Sequence, residues 1–285
     1  MSRIVYVNGE FLPEDQATVS VFDRGFLFAD GVYEVTSVLN SRLVDNRAHL
    51  ARLWRSLGEL DMPAPAGDEE IEAIQQKLVD LNQVQQGLVY LQVTRGVAER
   101  DFIYPQDSRP SLVMFTQHKN LVENPSAETG ISVVSVPDIR WQRRDIKTIG
   151  LLASSMAKMQ ARAAGADDAW MVENGVVTEG SSNNAYIITD DGILVTRQLG
   201  HEILAGITRQ AVLEFAAEQG IEIEQRPFSI DEALAAREAL ITSATTFVLP
   251  VVRIDGHPVG DGQPGALTRR LREIYIHKML DSIAG

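Results

Sequence analysis

Asp168-Ala169-Trp170-Met171-Val172-Glu173-Asn174-Gly175-Val176-Val177-Thr178 is the stretch that decides the fold. Two runs of strand-forming residues flank Asn174-Gly175, a pair suited to the positive-φ positions of a tight hairpin turn. The stretch reads as two antiparallel strands. A second hairpin follows, with 185–189 and 193–196 joined by Asp190-Asp191-Gly192. Upstream, 131–136 is a strand and the Ala- and Met-rich run 151–164 is a helix. Downstream, 208–219 is a helix stopped by Gly220, and 239–241 is a strand. Ser229 with Glu232 three residues on forms a capping box, and 266–283 is a closing helix. The pattern is α+β, with two domains and mixed sheets, not a run of βαβ units.

The first third extends the same picture. The runs 4–7 and 18–21 are short and β-branched, and 32–39 is a longer strand turning at Asn40-Ser41 into 42–44. Asp45 or Asn46 caps a helix with Leu50, Leu53, Trp54 and Leu57 on its apolar face. After Pro63 and Pro65, Asp68 caps a second helix that turns Ile71, Ile74, Leu78 and Leu81 inward, with Gly87 as its stop. The runs 88–94 and 112–116 pair as strands around an irregular segment, 96–110, that carries Arg100, Phe102 and Tyr104. A polar, strand-poor stretch divides the chain into a small domain at 1–118, a linker at 119–130 and a larger domain at 131–285.

Composition excludes several functions. The 285 residues carry 26 basic and 39 acidic side chains, a net charge of −13. Neutralising nucleic-acid phosphates or an anionic membrane needs a basic face, so neither is expected as a partner. Cysteine is absent, which removes disulfides, thiolate nucleophiles and Cys-ligated metals. His49, His118, His201, His257 and His277 are scattered, and no metal site is expected. No apolar run reaches the roughly 20 residues that span a bilayer. The opening residues lack the apolar region of a signal peptide, so a cytoplasmic protein is expected.

No phosphate-binding glycine motif of the dinucleotide or P-loop kind occurs. Three other segments collect hydroxyls and backbone donors where strands meet loops: Glu179-Gly180-Ser181-Ser182-Asn183-Asn184, Leu204-Ala205-Gly206-Ile207-Thr208-Arg209 and Thr242-Ser243-Ala244-Thr245-Thr246. The second opens a helix, whose free N–H groups attract anions. Each alone is also an ordinary turn or cap; together they suggest a phosphate cup. Only five of the basic residues are lysines: Lys77, Lys119, Lys147, Lys158 and Lys278. Lys77 and Lys158 read as solvated helix residues. Lys147 has apolar neighbours, and desolvation favours the uncharged amine that a Schiff-base nucleophile requires. A snorkelling strand-edge lysine is the plain alternative.

At these residues the chain resembles the D-amino-acid aminotransferases of the branched-chain aminotransferase superfamily, the fold type IV pyridoxal 5′-phosphate (PLP) enzymes. The resemblance runs from Tyr6-Val7-Asn8-Gly9 through Asp23-Arg24-Gly25-Phe26, Asp30-Gly31-Val32-Tyr33-Glu34-Val35 and His49-Leu50-Ala51-Arg52-Leu53. It continues with Val93-Thr94-Arg95-Gly96, Asp138-Ile139-Arg140-Trp141, Asp145-Ile146-Lys147, Thr178 to Asn183, Gly206-Ile207-Thr208-Arg209 and Pro250-Val251. It implies an N-terminal α/β sandwich and a C-terminal β-barrel-like domain with helices, PLP in the cleft between them, and a homodimer.

The resemblance also implies roles. Lys147 would bond PLP and carry the substrate α-proton, and Glu179 would pair with the pyridine nitrogen. Arg52 would clamp the phosphate with Gly206, Ile207, Thr208, Ser243, Ala244 and Thr245. Leu204 would pack on the ring, and Arg140 and Ser182 would surround it. Tyr33, Val35, Arg100 and Phe102 would face the substrate, with Arg100 and Tyr33 on its α-carboxylate. Two departures stand out: Phe102 replaces the histidine of the well-known bacterial pattern, and Ala244 replaces a hydroxyl residue. The implied reaction takes D-alanine and 2-oxoglutarate to pyruvate and D-glutamate. An (R)-amine or L-branched-chain transaminase, an aminodeoxychorismate-type PLP lyase and a non-catalytic scaffold are the alternatives.

Overall fold

The structure is a computed structural model that describes residues 2–284. Two compact units emerge from the contact pattern. The first comprises Met1–Asn120, Ile146–Gly150 and Leu280–Gly285, the second Leu121–Asp145 and Leu151–Met279.

The first unit contains β1 (Ile4–Val7), β2 (Glu10–Pro13), α1 (Arg24–Phe28), β3 (Gly31–Leu39), β4 (Arg42–Leu43), α2 (Asn46–Glu59), α3 (Asp68–Leu81), β5 (Gln86–Thr94) and β6 (Ser111–His118). Its strands form one sheet in the order β2-β1-β6-β5-β3-β4. Every pairing in it is antiparallel, so this sheet is not mixed as expected. Leu50, Leu53 and Leu57 of α2 and Ile71 and Leu78 of α3 share a buried core with Val32, Leu91 and Met114 of the sheet. Each fully buried leucine there stabilises the unit by about 1.5–3 kcal/mol. The sheet also carries an aromatic row: Tyr33 stacks on Tyr90 at 5.5 Å, and Tyr90 on Phe115 at 4.7 Å.

Four local expectations are corrected here. The run 18–21 forms no strand; Ser20 instead turns the chain, accepting from Phe22 N–H at its hydroxyl and from Asp23 N–H at its carbonyl. Gly67, not Asp68, is the cap of α3, and Asp68, Glu69 and Glu70 fill its first turn, where acidic groups meet the positive end of the helix. Leu81 is exposed. The α3 helix stops at Asn82, whose amide bonds both the N–H and the carbonyl of Ile4, while Gly87 lies inside β5, where a Cβ would strike the Gln117 carbonyl.

The second unit contains α4 (Pro125–Thr129), β7 (Ile131–Pro137), α5 (Leu152–Ala163), β8 (Asp168–Glu173), β9 (Val176–Gly180), β10 (Asn184–Ile188), β11 (Leu194–Thr196), α6 (Ile207–Glu218), β12 (Ile223–Gln225), α7 (Ile230–Ala235), β13 (Glu238–Ser243), β14 (Phe247–Ile254), β15 (His257–Pro258) and α8 (Ala266–Ala284). Here the sheet is mixed, in the order β12-β11-β10-β13-β14-β7-β8-β9, with β15 on β14. Pairs β7–β8, β7–β14 and β11–β12 are parallel. The sheet curls as a half-barrel: its last strand, β9, turns through 181–183 into β10, and Gly180 N–H donates to the Asn183 carbonyl. The core is built around Trp170 and Phe228, which meet edge to face at 5.8 Å.

The decisive hairpin forms as read, with one irregularity that matters. Trp170 pairs with Gly180, but Val172 pairs with Val177, so Thr178 and Glu179 together oppose Met171. Such a bulge re-aims side chains that strict alternation would send to opposite faces. Of the expected capping box the Ser229 half forms, its Oγ accepting from Glu232 N–H at 3.1 Å, while the Glu232 carboxylate accepts from Arg226 Nη2 at 2.6 Å.

Candidate active site

In the first unit, 146–150 lies along the free half of β3. Tyr33 N–H donates to the Lys147 carbonyl at 3.0 Å, and Ile149 N–H to the Gly31 carbonyl at 3.1 Å. Ile146 anchors this segment in the core. The result places Lys147 Nζ 4.2 Å from the centre of the Tyr33 ring. The ring face attracts a cation and walls one side of the amine.

The residue after Tyr33 points the other way, as strand alternation requires. Glu34 is buried against α2 and accepts Arg52 Nε and Nη2, both at 2.7 Å, and meets His49 Nδ1 at 2.8 Å. His49 and Arg52 are three residues apart and so share one face of α2. Burial by itself would raise the Glu34 carboxyl; the charge and fork of Arg52, aided by His49, outweigh it and hold the group at about 2. Burial pushes His49 below its ordinary value against the pull of Glu34.

Arg100 lies on the irregular segment 96–110, its guanidinium carbon 5.4 Å from the Phe28 ring and 5.7 Å from the Phe102 ring. Phe102 is 78% exposed and its ring is 5.5 Å from Phe28. Val35 shares the Tyr33 face of β3 and pairs with Tyr90.

In the second unit, Glu179 is buried at the bulge. Its Oε1 accepts Arg140 Nη1 at 2.5 Å, and its Oε2 accepts Asn184 Nδ2 at 3.0 Å and Leu204 N–H at 3.2 Å. Burial raises the Glu179 carboxyl above its ordinary value; Arg140 and the Leu204 N–H pull against that rise without cancelling it. Asn184 also donates to the Leu204 carbonyl at 2.9 Å, which ties the segment before α6 to the carboxylate. Gly206 caps α6 in an extended conformation with no side-chain capping bond. A Cβ there would lie 2.1 Å from Asn184 Oδ1, so only glycine allows this approach. Thr208 is buried on the first turn of α6. At the turn after β13, Ser243 Oγ lies 2.7 Å from Thr246 Oγ1 and 3.5 Å from Thr245 Oγ1, with Ala244 between.

Ser182 is exposed at the tip of the 181–183 turn, whereas Ser181 and Asn183 bond the buried Asp168 at 2.5 and 2.8 Å. Lys158 is exposed on α5, as read, and also pairs with Asp168 at 2.9 Å. The structure thus brings Lys147 to Tyr33, and groups Glu179, Arg140 and Leu204. It gathers Arg100 and Phe102 on Phe28. Sequence reasoning left Glu34, Asp138, Asp168 and Asn184 without roles. Glu34 carried a signal: a charged residue on the core face of a strand requires a buried partner.

These donors suit PLP. An uncapped helix start, a hydroxyl-lined turn and a nearby buried Arg209 whose Nε has no hydrogen-bond partner provide for a phosphate dianion. Within the second unit the buried Glu179 carboxylate suits a protonated pyridine nitrogen, and within the first unit the Lys147 amine beside the Tyr33 ring suits an aldehyde. Among the described residues, no group of side chains could hold a metal ion.

Family and relatives make this chain a PLP-dependent transaminase. The family model for amino-transferase class IV matches residues 31–254, and the chain belongs to that family. It is similar to a D-alanine aminotransferase of Staphylococcus aureus (strain MSSA476), 38% identical over 94% of this chain and 95% of that protein. Its fold matches the branched-chain amino acid aminotransferase of Escherichia coli, with a TM-score of 0.92 at 22% identity, covering 98% and 95% of the two chains. It also matches a T.th. branched-chain amino acid aminotransferase with pyridoxamine 5′-phosphate, with a TM-score of 0.90 at 25% identity, covering 97% and 94%. The chain is an aminotransferase, and PLP is its cofactor.

Proposed function

We propose that the enzyme moves an amino group from a D-amino acid to a 2-oxo acid, with D-alanine and 2-oxoglutarate giving pyruvate and D-glutamate. The observation that carries this reading is the Lys147 amine held 4.2 Å over the Tyr33 ring. The similarity to a D-alanine aminotransferase supports the choice of D-substrates. When bound, PLP supplies an electron sink for the pair left at the substrate α-carbon.

Lys147 holds the cofactor through Nζ and, once substrate takes that place, moves the α-proton as a nearby base. Glu179 keeps a proton on the pyridine nitrogen, with Arg140 and Asn184 holding its carboxylate. The backbone N–H groups of Gly206, Ile207 and Thr208 bind the phosphate. So do the Thr208 hydroxyl, the Ser243–Ala244–Thr245 turn and Arg52. Leu204 packs against the ring and Ser182 lines it. Arg100 and Tyr33 take the substrate carboxylate, since a guanidinium fork matches its two oxygens; Val35 and Phe102 shape the space beside it. We assign a cytoplasmic homodimer.

Adding D-alanine, L-leucine and (R)-1-phenylethylamine separately to the holoenzyme tests this reading by absorbance. D-alanine is expected to bleach the cofactor band. Bleaching by L-leucine or by the amine, and not by D-alanine, would overturn it.

A further inference from the structure

Glu179 does not hold its cation alone. Arg140 Nη1 meets Glu179, but the other edge of the same guanidinium is taken by Asp138: Nε donates to Oδ1 at 3.0 Å and Nη2 to Oδ2 at 2.7 Å. Arg140 N–H also donates to Asp138 Oδ1, at 3.1 Å. Asp138 is itself fixed from several sides. Its N–H donates to the Val172 carbonyl at 2.9 Å, which sets it at the end of β7 beside β8. Thr178 Oγ1 donates to Asp138 Oδ2 at 2.6 Å, and Arg144 Nη1 lies 3.5 Å from the same oxygen. The bulge on β9 places Thr178 and Glu179 together opposite Met171, so the strand that carries the carboxylate also anchors the residue that aims its cation.

From this chain of contacts we infer that Asp138 is a positioning residue: it locks Arg140 by a two-pronged fork and thereby fixes the charge and hydrogen bond that favour the ionised form of Glu179 toward the pyridine nitrogen. The inference rests on the transaminase reading only for the identity of that last group. The groups that face Glu179 are Arg140 and Asp138 from the segment after β7, Asn184 from β10, Leu204 N–H from the segment before α6, and Arg209 from α6. Behind Asp138 stands Arg144, which is paired with Glu173. A bidentate guanidinium–carboxylate pair fixes orientation as well as energy. The negative charge of Asp138 opposes ionisation of Glu179, but more weakly than either the charge or the hydrogen bond of Arg140 favours it. Loosening Arg140 therefore makes Glu179 easier to protonate.

The test reads the carboxyl directly. Infrared difference spectra of the full-length, cofactor-free protein over a pH series give the Glu179 midpoint, its band identified by loss in Glu179→Gln. Asp138→Asn is expected to raise that midpoint by about one pH unit, a tenfold change in proton affinity. Thr178→Val, which removes one anchor of Asp138 at little change in shape, is expected to raise it by less. Asp138→Glu, which keeps a carboxylate for the fork, is expected to remain closer to the parent than Asp138→Asn. A midpoint unmoved in both Asp138→Asn and Thr178→Val would overturn the inference. No turnover is needed for this readout, so failure of the transaminase assay and failure of this test are separate results.

Discussion

Glu34 and Arg52 meet fork to fork inside the first unit, with Nε–Oε1 and Nη2–Oε2 both 2.7 Å. The pair joins the strand that carries Tyr33 to the helix that carries Arg52. A guanidinium so fixed would lose little freedom on taking the phosphate proposed for it.

That pairing makes stability depend on acid. The Glu34 carboxyl stands at about 2 in the fold against 4.5 unperturbed. Its contribution is present above the unfolded value and is lost as pH falls toward the folded one. The difference corresponds to about 3 kcal/mol. Glu34→Gln also leaves Arg52 buried without its carboxylate, a loss of about 3–5 kcal/mol at neutral pH. Urea unfolding between neutral pH and acid is expected to show the parent losing stability on acidification and the variant, weaker from the start, showing a shallower decline.

Lys147→Ala is expected to abolish turnover and leave the fold intact. Its backbone bonds to β3 persist, and the amine–ring contact is worth about 1 kcal/mol. Thermal unfolding and a coupled pyruvate assay check both halves; residual transamination would remove Lys147 from its role.

Glu179→Ala is expected to lower turnover on the order of 100-fold or more, with a smaller loss of cofactor occupancy. The groups at the α6 start that we propose bind the phosphate are unchanged in that variant. Steady-state rates and the bound-cofactor absorbance measure the two quantities, and an unchanged rate would show that the ring nitrogen is not controlled from this position.

Gly206→Ala probes the cradle. The added methyl would lie 2.1 Å from Asn184 Oδ1 and 3.2 Å from Arg209 Cβ, so Asn184 must move, and Leu204 and Glu179 lose a shared partner. Overpacking of this kind costs about 2 kcal/mol, on the order of 30-fold in cofactor affinity. Equilibrium titration with PLP measures it.

The elements that the sequence displays are those whose signals are local. The Asn174-Gly175 hairpin, the β3 strand and the apolar face of α2 each follow from periodicity and turn chemistry within a dozen residues. Local signals also misled: the alternation at 18–21 is broken by Ser20, and Gly87 serves close strand approach inside β5 and not helix termination. The networks that hold the site are long-range. Glu34 and Arg52 are joined by the packing of α2 on β3, and Asp138 and Glu179 by strand register and a one-residue bulge. No spacing rule announces such pairs. Lys147, Glu179 and the α6 start stand as proposed site residues because scarcity, chemistry and resemblance point to the same positions.

The central claim is transfer of an amino group with D-stereochemistry. Chiral analysis of the glutamate formed from D-alanine and 2-oxoglutarate by the purified holoenzyme tests it most directly. The account predicts D-glutamate and pyruvate in equal amounts. L-glutamate, or pyruvate released without glutamate, would contradict it.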